Sequence, residues 1–210
     1  MTTCRLGILL SGRGSNFEAI AEAIADNLLP NAQIAVVLSN KPEAPGLASA
    51  RAKNIPAVVV SDDADILKTL QTHRVDLVIL AGYNRILSET LVRAYVSRIL
   101  NIHPSLLPAY GGKGMIGLKV HQAVIAAKEA QSGCTVHLVT SDVDAGPVLG
   151  QARVAVDPAD TPETLAQKVL REEHRLYPAV IRQYIDEALS RPQKVIHHEP
   201  NSIHSDHAPI

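Results

Sequence analysis

With 46% hydrophobic and 20% charged residues in a chain of 210, there is enough apolar side chain for one globular core and too much for a disordered segment. A formal net charge of -1, 3% aromatics and no Trp supply neither the basic field nor the stacking platforms of a nucleic-acid binder, which leaves small-molecule chemistry as the expected class. No apolar run approaches the ~20 residues that cross a bilayer, and the one in "MTTCRLGILLSG" is too short for a signal peptide, so the expected location is cytoplasmic.

In chain order, "RLGILLSG" (residues 5–12) reads as a buried strand and "NFEAIAEAIADNLL" (16–29), apolar at helical spacing, as the helix after it. The pattern repeats: strand 32–40, helix 44–54 opening near Pro45, short strand 56–60, helix 63–74, and a very apolar strand 75–82. A helix over 88–96 precedes "ILNIH" (99–103), read as a further strand, and then "PAYGGKGMIG" (108–117), whose four glycines mark a mobile loop. Helix 120–130, a pair of strands at 134–140 and 147–156, and a long helical segment 161–189 capped by Thr161 complete the pattern. Strands alternating with helices predict an α/β fold: an open, mostly parallel twisted sheet with helices on both faces. The formal domain is 1–189, and 190–210, with no sustained period, reads as a poorly ordered tail. The spacing of His197, His198, His204 and His207 is too irregular for a metal site. Cys4 and Cys134 lie in apolar runs without metal-ligand spacing, as small buried hydrophobes of a reduced protein do.

Two places carry chemistry. "SGRGSN" (11–16) lies between the first strand and first helix, where backbone N–H groups and the helix dipole favour an anion. Phe17 stands where a dinucleotide fingerprint has its third glycine, and the Gly-Lys-Ser/Thr of a nucleotide loop is absent. What remains is a grip for one phosphate, with Gly12 and Gly14 for backbone approach and Ser15 and Asn16 as cap donors, or a plain capped glycine turn. The second place is the end of the strand 99–103, the edge at which open α/β sheets bind ligands. Asn101 and His103 share one face there, and an amide donor beside an imidazole suits oxyanion stabilisation and proton transfer at a carbonyl. Asp144, in "TSDVDAGPV", is the expected carboxylate partner that favours and orients a charged His103, while Asp142 reads as a solvated turn residue.

"SGRGSN", "SNKPEAPGLASARA", "LAGYNRIL", "NIHPSLLP", "VHLVTSDVDAGPVLGQ" and "EEHRLYPAVI" together resemble the phosphoribosylglycinamide formyltransferases, in order from Leu6 to Ile185. "NIHPSLLP" alone is shared with methionyl-tRNA formyltransferase and formyltetrahydrofolate deformylase; the glycine-serine-asparagine loop is more selective. The resemblance implies a Rossmann-like formyltransferase fold and metal-free transfer of formyl from 10-formyltetrahydrofolate to the amine of glycinamide ribonucleotide, in purine synthesis, by direct attack through a tetrahedral intermediate. It implies Asn101, His103 and Asp144 as the catalytic set, Gly14, Ser15, Asn16 and Glu173 as contacts of the ribonucleotide, and a folate site at Asn84, Arg85, Ile86, Leu87, Asn101 and Val139. It also implies a cis bond between Leu107 and Pro108. On residue type alone, Glu173 would be a solvated helix acid and Ser105 a loop hydrogen-bonder. Three departures stand out: Asn84 where many members have Met, a shortened segment 63–74 lacking its initial Arg, and a longer glycine loop whose Lys113 is either a compensating cation or an exposed charge. The expected partners are small molecules, with no nucleic acid or membrane and a monomer or weak homodimer. Two other readings are a formyl-folate hydrolase, whose known forms carry an added N-terminal domain for which a strand starting at Arg5 leaves no room, and a non-catalytic phosphate-metabolite sensor.

Overall fold

A computed structural model describes residues 3–190. Its centre is a seven-stranded sheet in the order β3-β2-β1-β4-β5-β6-β7. The strands are β1 (Cys4–Leu10), β2 (Ala32–Ser39), β3 (Ala57–Val59), β4 (Leu77–Leu80), β5 (Ile99–His103), β6 (Gln131–Leu138) and β7 (Val148–Ala155). The helices are α1 (Ser15–Ala25), α2 (Pro45–Ala52), α3 (Asp63–Thr72), α4 (Glu89–Ala94), α5 (Leu118–Ala126) and α6 (Pro162–Ser190). The first five strands pair in parallel, as right-handed strand–helix–strand crossovers require, whereas β6 and β7 return antiparallel.

Alternation along the strands builds two apolar layers. Leu6, Ile8 and Leu10 of β1 join Phe17, Ile20, Leu47, Val169 and Tyr177 on one face, and Leu9 joins Ile66, Leu70, Leu91 and Ile99 on the other. Each fully buried Leu or Ile contributes about 1.5–3 kcal/mol over its exposed state, so these runs fix which edge of each strand faces the same end of the sheet. Caps set where helices begin. Asp62 Oδ1 accepts the Ala64 N–H at 2.7 Å, and Thr161 and Thr164 exchange N–H to hydroxyl bonds at the head of α6. The Tyr177 hydroxyl, buried under the sheet, lies 3.1 and 3.0 Å from the carbonyls of Leu80 and Leu100, pinning α6 beneath the ends of β4 and β5.

Boundaries differ from the sequence reading by more than two residues at three places. α1 ends at Ala25 because Asn27 turns left-handed behind it, α5 ends at Ala126 for the same reason at Lys128, and β6 starts at Gln131, extended by pairing with β7. The Leu107–Pro108 bond is cis. The tail from residue 191, with its four histidines, lies outside the described residues.

Candidate active site

The strand pairings bring the functional segments to one edge. Leu9 is level with Leu80, and Leu80 with Asn101, so the ends of β1, β4 and β5 lie side by side.

On β5, Asn101 and His103 share a face, and the antiparallel register places His137 directly across from Asn101. His137 Nδ1 is 2.9 Å from the Leu138 carbonyl oxygen, and its Nε2 is 3.0 Å from Asn101 Nδ2. A carbonyl only accepts, so Nδ1 carries a proton, while Nε2 lies within reach of both the Asn101 amide and Asp144 Oδ1. The amide is thereby oriented with its second N–H left for a ligand. Asp144 lies between two imidazoles: Oδ2 is 3.5 Å from His103 Nδ1, Oδ1 is 3.5 Å from His137 Nε2, and Oδ2 also accepts the Gly112 N–H at 2.9 Å. The sequence reading passed over His137; its signal was a polar residue in an apolar strand, legible only once β6 is known to run antiparallel to β5.

His103 Nε2 donates to the Tyr110 carbonyl at 2.8 Å, and its Nδ1 faces the Asp144 carboxylate. Burial pushes the His103 pKa below its ordinary value of 6.5, and the Asp144 carboxylate and Tyr110 carbonyl only partly offset this. Burial and the Asp144 carboxylate thus act in opposite directions on the charged His103 expected from sequence, with Nδ1 aimed at the carboxylate. Burial raises the Asp144 carboxyl, but the His137 and His103 rings and the Gly112 N–H outweigh it and hold the group ionised, below its ordinary value. His121, also buried, has its pKa lowered by burial and then by His103, and its Nδ1 has no partner.

Backbone conformation marks the same place. Of the seven non-glycine residues with positive φ among the described residues, Asn27, Asn54, Arg74, Ser97 and Lys128 follow helix ends, where this is ordinary. The other two are Tyr110 and Asp144, whose carbonyl and carboxylate hold His103. Behind Asp144 the chain passes so close to β6 that a Cβ on Gly146 would stand 1.9 Å from the Leu138 carbonyl oxygen, which only glycine permits.

At the end of β1, Gly14 is the N-cap of α1 with φ 79°, and no side chain caps the helix. The expectation that Ser15 and Asn16 act as cap donors is thus corrected. The first intrahelical bond is Glu18 N–H to the Gly14 carbonyl, so the N–H groups of Ser15, Asn16 and Phe17 precede the ladder, the donors a helix start can offer an anion. Asn16 instead turns to α6, where its Nδ2 donates to Glu173 Oε2 at 2.7 Å; its buried Oδ1 has no partner. Glu173 is 7% exposed rather than solvated, and burial pushes its carboxyl up, opposed by the Asn16 donation. An orphan acceptor beside a carboxyl is where an incoming N–H donor would be satisfied.

The segment after β4 carries Asn84, Arg85 and Ile86 at the surface and Leu87 buried. Ile86 is 58% exposed, an apolar face open to a flat ligand, and the Arg85 guanidinium donates to the Ser61 carbonyl. Val139, half-buried, donates its N–H to the Ile99 carbonyl at 2.9 Å, which places it beside β5. Lys113 and Asp142 are exposed, and Ser105 Oγ donates to the Ala109 carbonyl at 2.6 Å, a loop bond as expected. Both cysteines are free, with thiols pushed up to about 12 by burial, so neither supplies a thiolate. Among the described residues no group of three or more His, Cys, Asp or Glu side chains is placed to hold a metal ion, and no helix is long and apolar enough to cross a membrane.

A sheet of this order, with a glycine-built anion loop at one central strand end and a carboxylate between two imidazoles at another, defines an open α/β protein equipped for acid–base chemistry on small molecules. The family model described as formyl transferase matches residues 4–181. Phosphoribosylglycinamide formyltransferase of Bacillus subtilis is 36% identical over 190 residues, covering 86% of this chain and 94% of that protein. The chloroplastic phosphoribosylglycinamide formyltransferase of Arabidopsis thaliana is 40% identical over 195 residues, covering 88% of this chain and 66% of that protein, so the chain spans just under two thirds of that relative. The crystal structure of glycinamide ribonucleotide transformylase 1 from Symbiobacterium toebii superposes with a TM-score of 0.83 at 39% identity, covering 88% of this chain and 89% of that one. The chain belongs to the formyl transferase family, on its phosphoribosylglycinamide formyltransferase branch. Membership of this family implies a folate co-substrate.

Proposed function

We propose that the protein transfers the formyl group of 10-formyltetrahydrofolate to the amino group of glycinamide ribonucleotide, a step of purine biosynthesis, as a cytoplasmic monomer or weak homodimer whose formyltransferase domain is residues 1–189. The observation that carries this reading is Asp144 placed 3.5 Å from both His103 and His137, with Asn101 oriented by His137 beside it.

In this reading the N–H groups at the head of α1 take the phosphate, and the Asn16–Glu173 pair takes the ribonucleotide's amino end, filling the acceptor that Asn16 Oδ1 leaves open. Segment 84–87 and Val139 flank the folate ring, with Ile86 as its apolar contact. As the amine nitrogen bonds to the formyl carbon, the second Asn101 N–H donates to the oxygen that gains negative charge. His103 Nδ1 takes the proton that the amine loses, Asp144 stabilises the imidazolium so formed, and the proton is then delivered to the folate nitrogen as its bond to the formyl carbon breaks. Formyl and one proton exchange places, and no covalent enzyme intermediate is needed.

Following 10-formyltetrahydrofolate with and without glycinamide ribonucleotide tests the reading. Consumption that requires the amine and yields the formylated ribonucleotide is expected; amine-independent consumption would make the protein a hydrolase, and binding without turnover a sensor.

A further inference from the structure

Ser11, the residue after β1, is 8% exposed and holds three segments at once. Its N–H donates to the Gly82 carbonyl at 3.0 Å, its hydroxyl donates to Asn40 Oδ1 at 2.6 Å, and the same oxygen accepts the Asn84 N–H at 3.0 Å. Asn40, just past β2, closes the ring by donating from Nδ2 to Asn84 Oδ1 at 3.2 Å. One step on, the Gly12 carbonyl accepts the Gly46 N–H of α2 at 3.1 Å. The hydroxyl thus spends its one donor and an acceptor site on partners from two different strand ends, which fixes it as a bridge between them.

These bonds join the start of the anion loop to the segment 82–84, which leads into the proposed folate wall. Resting on the functional reading above, we infer that Ser11 is a positioning residue that couples the two substrate subsites, so that filling either one tightens the other. The phosphate fixes the loop 12–16, the loop fixes Ser11, and Ser11 fixes the backbone of Asn84. A second ligand then meets a segment whose ordering cost has already been met, and linkage requires the effect to be reciprocal. The Asn84 amide side chain supplies the second leg of the ring, to Asn40, while its backbone leads into the folate wall.

The test is a thermodynamic cycle by titration calorimetry with tetrahydrofolate, which has no formyl group to transfer, and glycinamide ribonucleotide. In the wild type each compound, at saturation, is expected to lower the Kd of the other by the same factor, about 5-fold or more. In Ser11→Ala the factor falls to within about 2-fold of one, in Asn40→Ala it is intermediate, and Ser11→Thr, which keeps the hydroxyl, restores it. A merely structural role for Ser11 would weaken each compound measured alone and leave the factor unchanged; that result, or a wild-type factor of one with both compounds bound, overturns the inference. A wild type that binds neither compound overturns the functional reading and the inference with it.

Discussion

The two halves of the sheet do different work with different parts of the chain. In the parallel half, β1 to β4, the proposed anion site is made of main chain: Gly14 opens α1 without a side-chain cap, and the N–H groups of the first turn precede the helical ladder. In the antiparallel half, β5 to β7, the chemistry is made of side chains: the register sets His137 opposite Asn101, and the turn before β7 returns Asp144 to both imidazoles. Parallel strands followed by helices present dipoles at their ends, whereas antiparallel neighbours place side chains about 5 Å apart across the ladder. Binding of a fixed charge suits the first and proton transfer the second.

The comparison predicts that substitutions in the antiparallel half act on turnover and those in the parallel half on binding. Asp144→Asn, nearly isosteric, should slow single-turnover formyl transfer by ~100-fold or more with folate binding retained. The double variant with His103→Asn should cost little more than the worse single one, since residues acting as a unit are non-additive; two independent multiplicative losses would separate the pair. The acid limb of kcat/KM should fall below 6.5, because burial favours neutral His103. In Asp144→Asn that limb should move further down, since the carboxylate is what raises the His103 pKa. Activity that falls instead as pH rises through the His103 pKa would show that the charged ring is the active one.

His137→Ala should reduce turnover by about 10-fold through loss of one buried hydrogen bond to Asn101, and His137→Asn should recover part of it. A loss expressed only as a higher KM for folate would place His137 in binding. In the parallel half, Asn16→Ala should raise the KM for glycinamide ribonucleotide and destabilise the fold by about 1–3 kcal/mol, because Glu173 loses its donor while buried. Urea unfolding would read the second effect. Glu173→Gln should show the linked pH dependence. A carboxyl whose pKa is raised in the fold contributes stability at low pH that is lost as pH rises through the folded pKa, so the variant should gain on the wild type with increasing pH and match it in acid. The smallest effect belongs to Lys113→Ala, an exposed loop cation: a salt-sensitive weakening of folate or phosphate binding of about 3-fold at low ionic strength, and none at high salt. No change at low salt would leave Lys113 a plain surface charge.

The alternation of apolar strands with amphipathic helices was enough to give the α/β class and the chain order of the elements, because period and turn chemistry are local properties. Asn101 and His103 were legible for the same reason: residues two apart on a strand share a face. Asp144 was legible as a partner only in outline, and how far burial opposes the charge of His103 was not, because desolvation depends on what the fold packs around the ring. His137 and the burial of Glu173 were decided by tertiary structure alone. Nothing within residues 131–138 says that this strand runs against β5 rather than along it, and nothing within α6 says that Asn16, 157 positions earlier, will be the donor to its one buried acid. Local sequence sets periodicity; which distant groups share a low-dielectric space is set by how the layers close, and the protonation states of this site follow from that closure.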